Sequence, residues 1–449
     1  MSSKTLATLV LTLSAAFAED ASAAAGYVLR KVALEGESAP GTSDAFGEVN
    51  AVAMNPAGQV AFLASLASGL PASGAWVDTN GSLALRMRNG DAAPGSGGAY
   101  SIMAGFPRID AAGGLAVLAP VSGGTSPRGI FVDAGGGDSA LFLSGAAAPP
   151  DVGGTLTAGI ADLQPFAYNE DGVLLFRSAV TGGSAAMGLF RRAAGGTLTT
   201  VALAGDAAPG VPGATYSAFM HPALDASDRP AFGASLVGSV ANRGLFADVG
   251  SGLSALVLAG NTAPGSGGGS FSDFLYPASA NGAVAFLASV TGGSVTGGIF
   301  LADGGIVPVA IENQVAPGTG GATLFSVNAP PAIDGFRSVA FSAGLTGGSA
   351  SGGVFVYDAG TAALVPAVLD GDLVSGVSSP LASFGHVAFG SGGALAFVAQ
   401  LDDGRNGVFV ATPIAVIPAL PAIAYVVLGL ALVGAAYSML RRRPPHVSA

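Results

Sequence analysis

The chain has 449 residues, 17 Lys and Arg against 28 Asp and Glu, a formal net charge of −11 and no cysteine. Half of the residues are hydrophobic and only 10% are charged, which excludes a disordered acidic tail. The body of the chain has no basic cluster, which argues against nucleic-acid binding, and the lack of cysteine excludes disulfides and Cys-ligated metals.

The first segment has the three parts of a secretory signal peptide. Lys4 precedes a charge-free apolar stretch, residues 5–18, and the small residues Ala21, Ser22 and Ala23 follow it. A charged start, an apolar centre and a small-residue cleavage region are typical of export signals. The sequence therefore predicts a signal peptide over residues 1–25 and an exported protein.

From residue 26 to residue 412 the sequence repeats one unit of about 55 residues. Each copy carries a short apolar run followed by Gly-x-x-Ala-Pro-Gly or a variant of it. The seven runs begin at Val32, Leu85, Leu141, Val201, Leu256, Val309 and Ala367. Later in each unit come a VAFLASL-type run and a glycine that is followed by apolar and aromatic residues. Three motifs in one order and one period indicate tandem copies of one structural unit.

The repeated glycine leads into an aromatic position that is Trp76 in the first copy and Phe in the other six. These glycines are Gly74, Gly129, Gly188, Gly244, Gly298, Gly353 and Gly407. We expect Trp76 to be a core residue and not a platform for stacking a sugar.

Each unit is predicted to form four strands separated by Gly, Asn, Asp and Pro turns. The second strand often contains Pro, as in Phe106-Pro107, His221-Pro222 and Tyr276-Pro277. The third strand is apolar on both sides of its pleat, so both of its faces should be covered. The fold class is therefore all-β, a seven-bladed β-propeller over residues 26–412. Separate sandwich domains need about 100 residues each, and solenoid coils repeat at shorter intervals. The sequence does not decide whether the first and last blades exchange a strand.

The C-terminal segment has the features of a membrane anchor. A linker over residues 413–419 leads to 21 nearly continuous apolar residues, 420–440, long enough for a helix to cross a bilayer. Arg441, Arg442 and Arg443 follow directly, and the basic tail 441–449 is expected to stay in the cytoplasm. The propeller would then lie outside the cytoplasm, in agreement with the export signal.

Two resemblances follow from these motifs. The IPALP sequence, the apolar helix and the arginine triplet resemble the C-terminal sorting tails of bacterial surface proteins of the IPTL or PEP type; the anchor residues would be Ile417, Pro418, Leu420, Arg441, Arg442 and Arg443. This resemblance implies an exosortase-like processing enzyme as a partner; a plain single-pass anchor is the alternative. The Gly-x-x-Ala-Pro repeats resemble bacterial choice-of-anchor tandem-repeat proteins, which implies a surface-associated β-repeat protein and no catalytic residues.

The residues that follow the repeated turn glycine suggest one candidate site. In successive units they are Glu37, Asp91, Ala146, Asp206, Asn261, Gln314 and Asp372. If the turns point at the propeller axis, these oxygens could hold Ca²⁺ or hydrogen-bond sugar hydroxyls. Alternatively, Gly-Asp and Gly-Asn are ordinary turn dipeptides and their side chains lie far apart. The sequence identifies no other cofactor.

Catalytic motifs are missing from the sequence. There is no HExxH, GxSxG, GxGxxG or P-loop pattern, and His221, His386 and His446 occur singly. The sequence therefore favours a non-catalytic binding or structural module at the cell envelope, with a glycan or protein as ligand and no nucleic acid. A polysaccharide-active envelope enzyme with its site at the axis, or a pure spacer or assembly unit, are the alternatives.

Overall fold

The computed structural model describes residues 26–68, 73–101, 103–159, 161–327 and 329–414. The predicted signal peptide, sorting motif, transmembrane helix and basic tail all lie outside these residues. Within them the only helix is a 3₁₀ turn, Ser391–Gly393, and no helix is long and apolar enough to cross a bilayer.

The described residues form seven antiparallel sheets, the blades of a β-propeller, as the repeat predicts. We letter the strands of each blade a to d from the axis outward. The chain starts with β1 (Tyr27–Leu34), whose place is given below. Blade 1 contains β2 (Phe46–Met54), β3 (Val60–Leu66), β4 (Ser73–Thr79) and β5 (Ser82–Arg88); blade 2 contains β6 (Ala92–Ala93), β7 (Gly98–Tyr100), β8 (Ala104–Ile109), β9 (Leu115–Ser122), β10 (Arg128–Asp133) and β11 (Asp138–Leu143).

The next blades repeat this order, and strand a is split in blades 2, 3 and 6. Blade 3 contains β12 (Thr155–Leu156), β13 (Ala167–Tyr168), β14 (Leu174–Thr181), β15 (Met187–Arg192) and β16 (Leu198–Leu203). Blade 4 contains β17 (Thr215–Leu224), β18 (Pro230–Val237), β19 (Arg243–Asp248) and β20 (Leu253–Leu258). Blade 5 contains β21 (Ser270–Ala280), β22 (Ala283–Thr291), β23 (Gly297–Ala302) and β24 (Ile306–Ile311); blade 6 contains β25 (Thr323–Ser326), β26 (Ala332–Ile333), β27 (Val339–Thr346), β28 (Gly352–Asp358) and β29 (Ala363–Leu369).

Blade 7 joins the two ends of the ring. It contains β30 (Leu381–Phe389), β31 (Leu395–Leu401) and β32 (Asn406–Pro413), and β1 is its outermost strand. β1 pairs antiparallel with β32 from Tyr27↔Pro413 to Leu34↔Gly407. The N-terminal strand therefore closes the propeller, which settles the strand exchange that the sequence left open.

This closure also changes how the sequence unit maps onto a blade. The first strand of each repeated unit does not join the three strands that follow it; it is strand d of the preceding blade. The reason is the length of the connections: β4 and β5 are joined by a two-residue hairpin, whereas the Gly-x-x-Ala-Pro turn leads away to the next blade.

The core lies between adjacent blades, with strand b at its centre. Five consecutive residues of β3, Val60 to Ala64, are buried, so both faces of this strand are covered, as predicted. Trp76 is fully buried: its ring stacks on Phe62 at 5.9 Å, and its indole N–H donates to the Pro40 carbonyl at 3.0 Å. The prediction that Trp76 is a core residue is confirmed.

The glycine before each aromatic residue is required by close packing. A Cβ on Gly188 would lie 2.7 Å from the ring of Phe190, and one on Gly244 would lie 2.8 Å from the ring of Phe246. Residues two apart share one face of a strand, so in these two blades the aromatic ring folds back over its glycine. The Gly-x-Phe motif is thus a packing signature of strand c.

Candidate functional site

The two kinds of loop next to the inner strand lie at opposite ends of each blade. Because successive strands are antiparallel, the Gly-x-x-Ala-Pro turns and the b–c loops share one end, and the a–b turns lie at the other. Backbone hydrogen bonds confirm the first pairing: Ser294 N–H donates to the Ser266 carbonyl at 2.8 Å, which joins a b–c loop to a Gly-x-x-Ala-Pro turn. The repeated turn residues therefore lie at the end opposite to the a–b turns.

Four of the predicted ring residues hydrogen-bond within their own turns. A side-chain oxygen of each accepts a hydrogen bond from the backbone N–H three residues earlier. The pairs are Asp206 with Leu203 at 2.9 Å, Asn261 with Leu258 at 2.9 Å, Asp372 with Leu369 at 2.8 Å and Gln314 with Ile311 at 3.2 Å. Burial raises the pKa of Asp372. These contacts are those of turn-capping side chains.

The other two ring residues, Glu37 and Asp91, pair with cations of the preceding outer strand. Glu37 binds Lys31, and Asp91 lies 3.4 Å from Arg88. In the described residues, no three His, Asp or Glu side chains are grouped so that they could hold a metal ion. The structure thus shows each ring residue engaged locally, and the ligand or Ca²⁺ role assigned to the ring stays a prediction.

A cavity of about 610 Å³ lies on the axis at the a–b end. All seven blades contribute to its wall, each with the end of its inner strand and the turn that follows. The lining residues fall within 52–56, 106–109, 165–170, 221–226, 276–281, 330–336 and 386–392. None of the predicted ring residues is among them, so the cavity is a second candidate site, which sequence periodicity did not reveal.

Irregular register in the inner strands turns side chains toward the axis. In β17 the pairing with β18 slips between Met220 and Ala223, and the residues in between include His221. In β21 the equivalent slip includes Tyr276. Both residues have positive φ, 46° and 47°, a left-handed conformation that costs a non-glycine residue about 1–3 kcal/mol. Backbone strain of this kind is concentrated at functional sites, which makes this part of the axis a candidate functional site.

Four ring side chains that line the cavity pack against one another in two tilted pairs. The rings of His221 and Tyr276, from neighbouring blades 4 and 5, are 4.2 Å apart. The rings of Phe106 and His386 are 4.7 Å apart, although they come from blades 2 and 7 with blade 1 between them. Since the lining segments of these four blades begin at these residues and run toward the a–b turns, the two ring pairs form the inner end of the cavity.

Both histidines of the cavity are neutral at physiological pH. Burial, and then the nearby Arg108 guanidinium, lower the pKa of His386 to about 3, although its hydrogen bond to the Val52 backbone acts in the opposite sense. Burial and the charge of Arg177 lower the pKa of His221 to about 4, partly offset by Asp273. Among the residues that line the cavity the cation is Arg108, whose pKa burial lowers only to about 10, whereas Arg177 lies outside the lining and is paired with Asp162 at 3.4 Å.

The a–b turns form a hydrogen-bonded rim that links the blades. The Nδ2 of Asn55 donates to the Asp110 carbonyl at 2.8 Å, and that of Asn169 donates to the Asp225 carbonyl at 3.0 Å. Asn281 makes the same contact with Gly335 at 2.7 Å. Each bond joins one blade to the next, so hydrogen bonds link neighbouring a–b turns at the cavity mouth between blades 1 and 2, 3 and 4, and 5 and 6.

Two acidic side chains lie on the cavity wall near this rim. Burial, together with neighbouring Asp171, raises the pKa of Glu170. Burial also raises the pKa of Asp334, against the effect of backbone hydrogen bonds from Ser338 and Phe336. The cavity thus has a cation at its inner end and carboxyl groups toward its mouth.

Comparison with solved structures finds weak similarities. A puromycin-hydrolysing peptidase of Mycobacterium tuberculosis aligns with 89% of this chain and 57% of its own, at 11% identity and a TM-score of 0.45. A puromycin hydrolase mutant aligns with 84% of this chain and 54% of its own, at 14% identity and a TM-score of 0.43. A gluconolactonase of Xanthomonas campestris aligns with 88% of this chain and 92% of its own, at 11% identity and a TM-score of 0.35. The chain spans little more than half the length of the two hydrolases, and no function follows from these similarities.

Comparison with curated proteins finds no match. The sequence profile of a family of unknown function, DUF7453, matches residues 29–298 and 281–400. These ranges cover nearly all of the propeller, and hence well over half of the chain. The chain therefore belongs to the DUF7453 family.

Proposed function

We propose that this protein is an exported binding module, held at the cell envelope by its C-terminal segment, that takes a small ligand into the axial cavity without transforming it. The observation that carries the proposal is the cavity of about 610 Å³ to which all seven blades contribute. Its volume is that of ordinary small-molecule sites. A wall made by seven blades, with rim hydrogen bonds that join blades 1 and 2, 3 and 4, and 5 and 6, suits a preformed binding site.

The chemistry of the cavity favours binding over catalysis. A general base works best with a pKa near the operating pH, whereas the pKa values of His221 and His386 are about 4 and about 3. Both imidazoles pack against aromatic rings, and in the described structure the Nδ1 atom of each is buried without a hydrogen-bond partner. The side chains act as walls in this arrangement.

An envelope enzyme that acts on polysaccharide is the second candidate. Its support is the presence of two cavity-lining carboxyl groups, Glu170 and Asp334, since glycosidases use a pair of carboxyl groups, one as the acid with a raised pKa and the other as an ionised carboxylate. The test is to incubate polysaccharides with the wild-type chain and with Glu170→Gln. Release of reducing ends by the wild type alone would favour this candidate.

Three sequence features support the location. They are the export signal over residues 1–25, the apolar span over 420–440 and the arginine triplet that follows it. Between the two terminal segments the chain has 13 basic and 26 acidic residues, a balance that discourages docking on anionic lipid. On the resemblance to sorted surface proteins, an exosortase-like enzyme would process the tail.

Location is tested with the full chain carrying a C-terminal tag. In a bacterial host, protease added outside the cytoplasmic membrane should digest the propeller and spare the tag. Loss of the tag from a shortened, envelope-bound product would support processing of the tail. Digestion only after lysis of the cytoplasm would contradict the proposed topology.

Ligand binding is tested by screening the detergent-solubilised full chain against glycans, small metabolites and metal ions. A ligand of the cavity should lose affinity for Ser279→Trp, which places a bulky side chain on the cavity wall. Ser251→Trp, in an exposed c–d hairpin, is the matched control and should bind as the wild type does. A ligand insensitive to Ser279→Trp, or no ligand at all, would contradict a cavity-binding function; the second result would favour a spacer.

A further inference from the structure

Among the described residues, Arg108 is a cation of the axial cavity without a carboxylate partner. It lies on the inner strand of blade 2, two residues after Phe106, and lines the cavity. Every Asp and Glu between residues 26 and 414 is described, and none lies within 4.0 Å of its guanidinium. Asp110, two residues further on, is engaged elsewhere: its carboxylate accepts hydrogen bonds from Tyr168 and Gly114.

The donor atoms of Arg108 are largely free. Its Nη1 donates to the carbonyl of the preceding Pro107 at 3.2 Å. Nε and Nη2 bond no described protein group, and neither is sealed off from the accessible space. These two N–H groups form the fork that binds a carboxylate side-on with two parallel hydrogen bonds.

The cost of keeping this cation points to a ligand. Arg108 is half-buried, and a charge partly removed from water is unfavourable unless an opposite charge compensates it. His386 beside Arg108, and His221 elsewhere in the cavity, are neutral and supply no such charge, while their ring partners Phe106 and Tyr276 add aromatic walls. A bound anion would satisfy the guanidinium where the protein does not.

The rest of the cavity limits how much negative charge a ligand can carry. Glu170 and Asp334 lie on the wall, and the chain as a whole has a net charge of −11. A polyanion would meet these carboxylates, whereas a single carboxylate placed on Arg108 would not. The volume of about 610 Å³ suits a ligand of one or two sugar rings.

From these observations we infer that the axial cavity recognises a small monocarboxylate of acidic-sugar type, with its carboxylate on the Nε and Nη2 atoms of Arg108 and its ring against the aromatic walls. This inference rests on the proposed binding function of the cavity. It adds the class of ligand and the residue that selects it.

The test compares matched probes by calorimetry on the full chain in detergent. Galacturonate and glucuronate each carry a single carboxylate, galactose lacks it, and inorganic phosphate offers a different oxyanion. In the wild type we expect an acidic sugar to bind roughly ten- to a hundredfold more tightly than galactose, the value of charge-assisted hydrogen bonds. Phosphate should bind more weakly than the acidic sugars.

Variants then assign the preference to the guanidinium. Arg108→Gln should remove the preference for the acidic sugar. Arg108→Lys keeps the charge but not the two-pronged guanidinium geometry, so it should retain only part of the preference. Arg88→Gln makes the same charge change at the opposite end of the blades and should bind as the wild type does. Circular dichroism should show all three variants folded; if Arg108→Gln does not fold, the wild-type comparison of probes and Arg108→Lys decide.

The outcomes separate the inference from the proposed function. Equal binding of galactose and galacturonate, or a preference unchanged by Arg108→Gln or by Arg108→Lys, would overturn the inference and leave the cavity a binding site. Tighter binding of phosphate would overturn the assignment of a carboxylate. If cavity ligands of every class fail, the proposed function fails with it.

Discussion

Acidification should destabilise this fold through His386. Its folded pKa is about 3 because the ring is buried and lies near Arg108, and the unfolded value is about 6.5. A group with a lowered cationic pKa binds protons better when the chain is unfolded. Its stabilising effect is therefore complete above pH 6.5 and is lost progressively as the pH falls toward 3. Between pH 7.5 and 5.0 this single residue should cost about 2 kcal/mol of unfolding free energy.

The assay is urea unfolding of the full chain in detergent, followed by far-ultraviolet circular dichroism at both pH values. Glu170, Asp334 and Asp372 have raised pKa values and act in the opposite sense, so the wild-type curve alone does not isolate the histidine. The unfolding free energy of the wild type minus that of His386→Gln isolates the contribution of the histidine. That difference should fall by about 2 kcal/mol on going from pH 7.5 to 5.0. A difference that changes by less than about 0.5 kcal/mol would refute the reasoning.

Two further substitutions test the packing and the rim. Phe286→Ala removes a fully buried ring stacked on Phe300 at 5.9 Å and should lower the unfolding free energy by about 3–5 kcal/mol. Its control is Phe325→Ala, at a residue that is 69% exposed, which should lower it by less than about 0.5 kcal/mol. Asn169→Ala removes the hydrogen bond to the next blade and leaves the buried Val173 N–H unpaired, which should lower the unfolding free energy by about 1–3 kcal/mol. Its control is Asn261→Ala, at an exposed residue, which should lower it by less than about 1 kcal/mol. Urea unfolding measures all four, and equal effects within either pair would contradict the assigned contacts.

Much of the fold was predictable because it depends on periodic local features. The Gly-x-Phe pairs mark strand c, the doubly apolar runs mark strand b, and Trp76 occupies a position that a fully buried aromatic side chain fills in every blade. The partner of β1 was not predictable, since the repeat begins and ends in the same phase and either closure buries the same apolar faces. Only the short c–d hairpins, compared with the longer turns between blades, favour pairing each unit's first strand with the blade before it.

The candidate site was less predictable, and for a geometric reason. The repeat predicts that Glu37, Asp91 and their equivalents lie at the same level along the propeller axis. It does not predict at which end of the blades the cavity lies. The axial residues are exposed by slips in strand register, which depend on pairing between strands and not on composition. The X-Pro dipeptides at Phe106, His221 and Tyr276 were the available signal, because proline cannot donate to a ladder and favours bulges. That no carboxylate lies beside Arg108 among the described residues can be recognised only from three-dimensional contacts.

Closure of the ring by β1 is tested most directly by a disulfide between the two ends of the chain. Val28 and Thr412 are register partners, both are exposed, and the chain contains no cysteine of its own. Antiparallel partners have Cα separations suited to a disulfide. Val28→Cys with Thr412→Cys should oxidise to a cross-linked peptide pair detectable by mass spectrometry, and Val28→Cys with Ser82→Cys, on the outer strand of blade 1, should not. A cross-link in the second double variant and none in the first would contradict a propeller closed by its first strand.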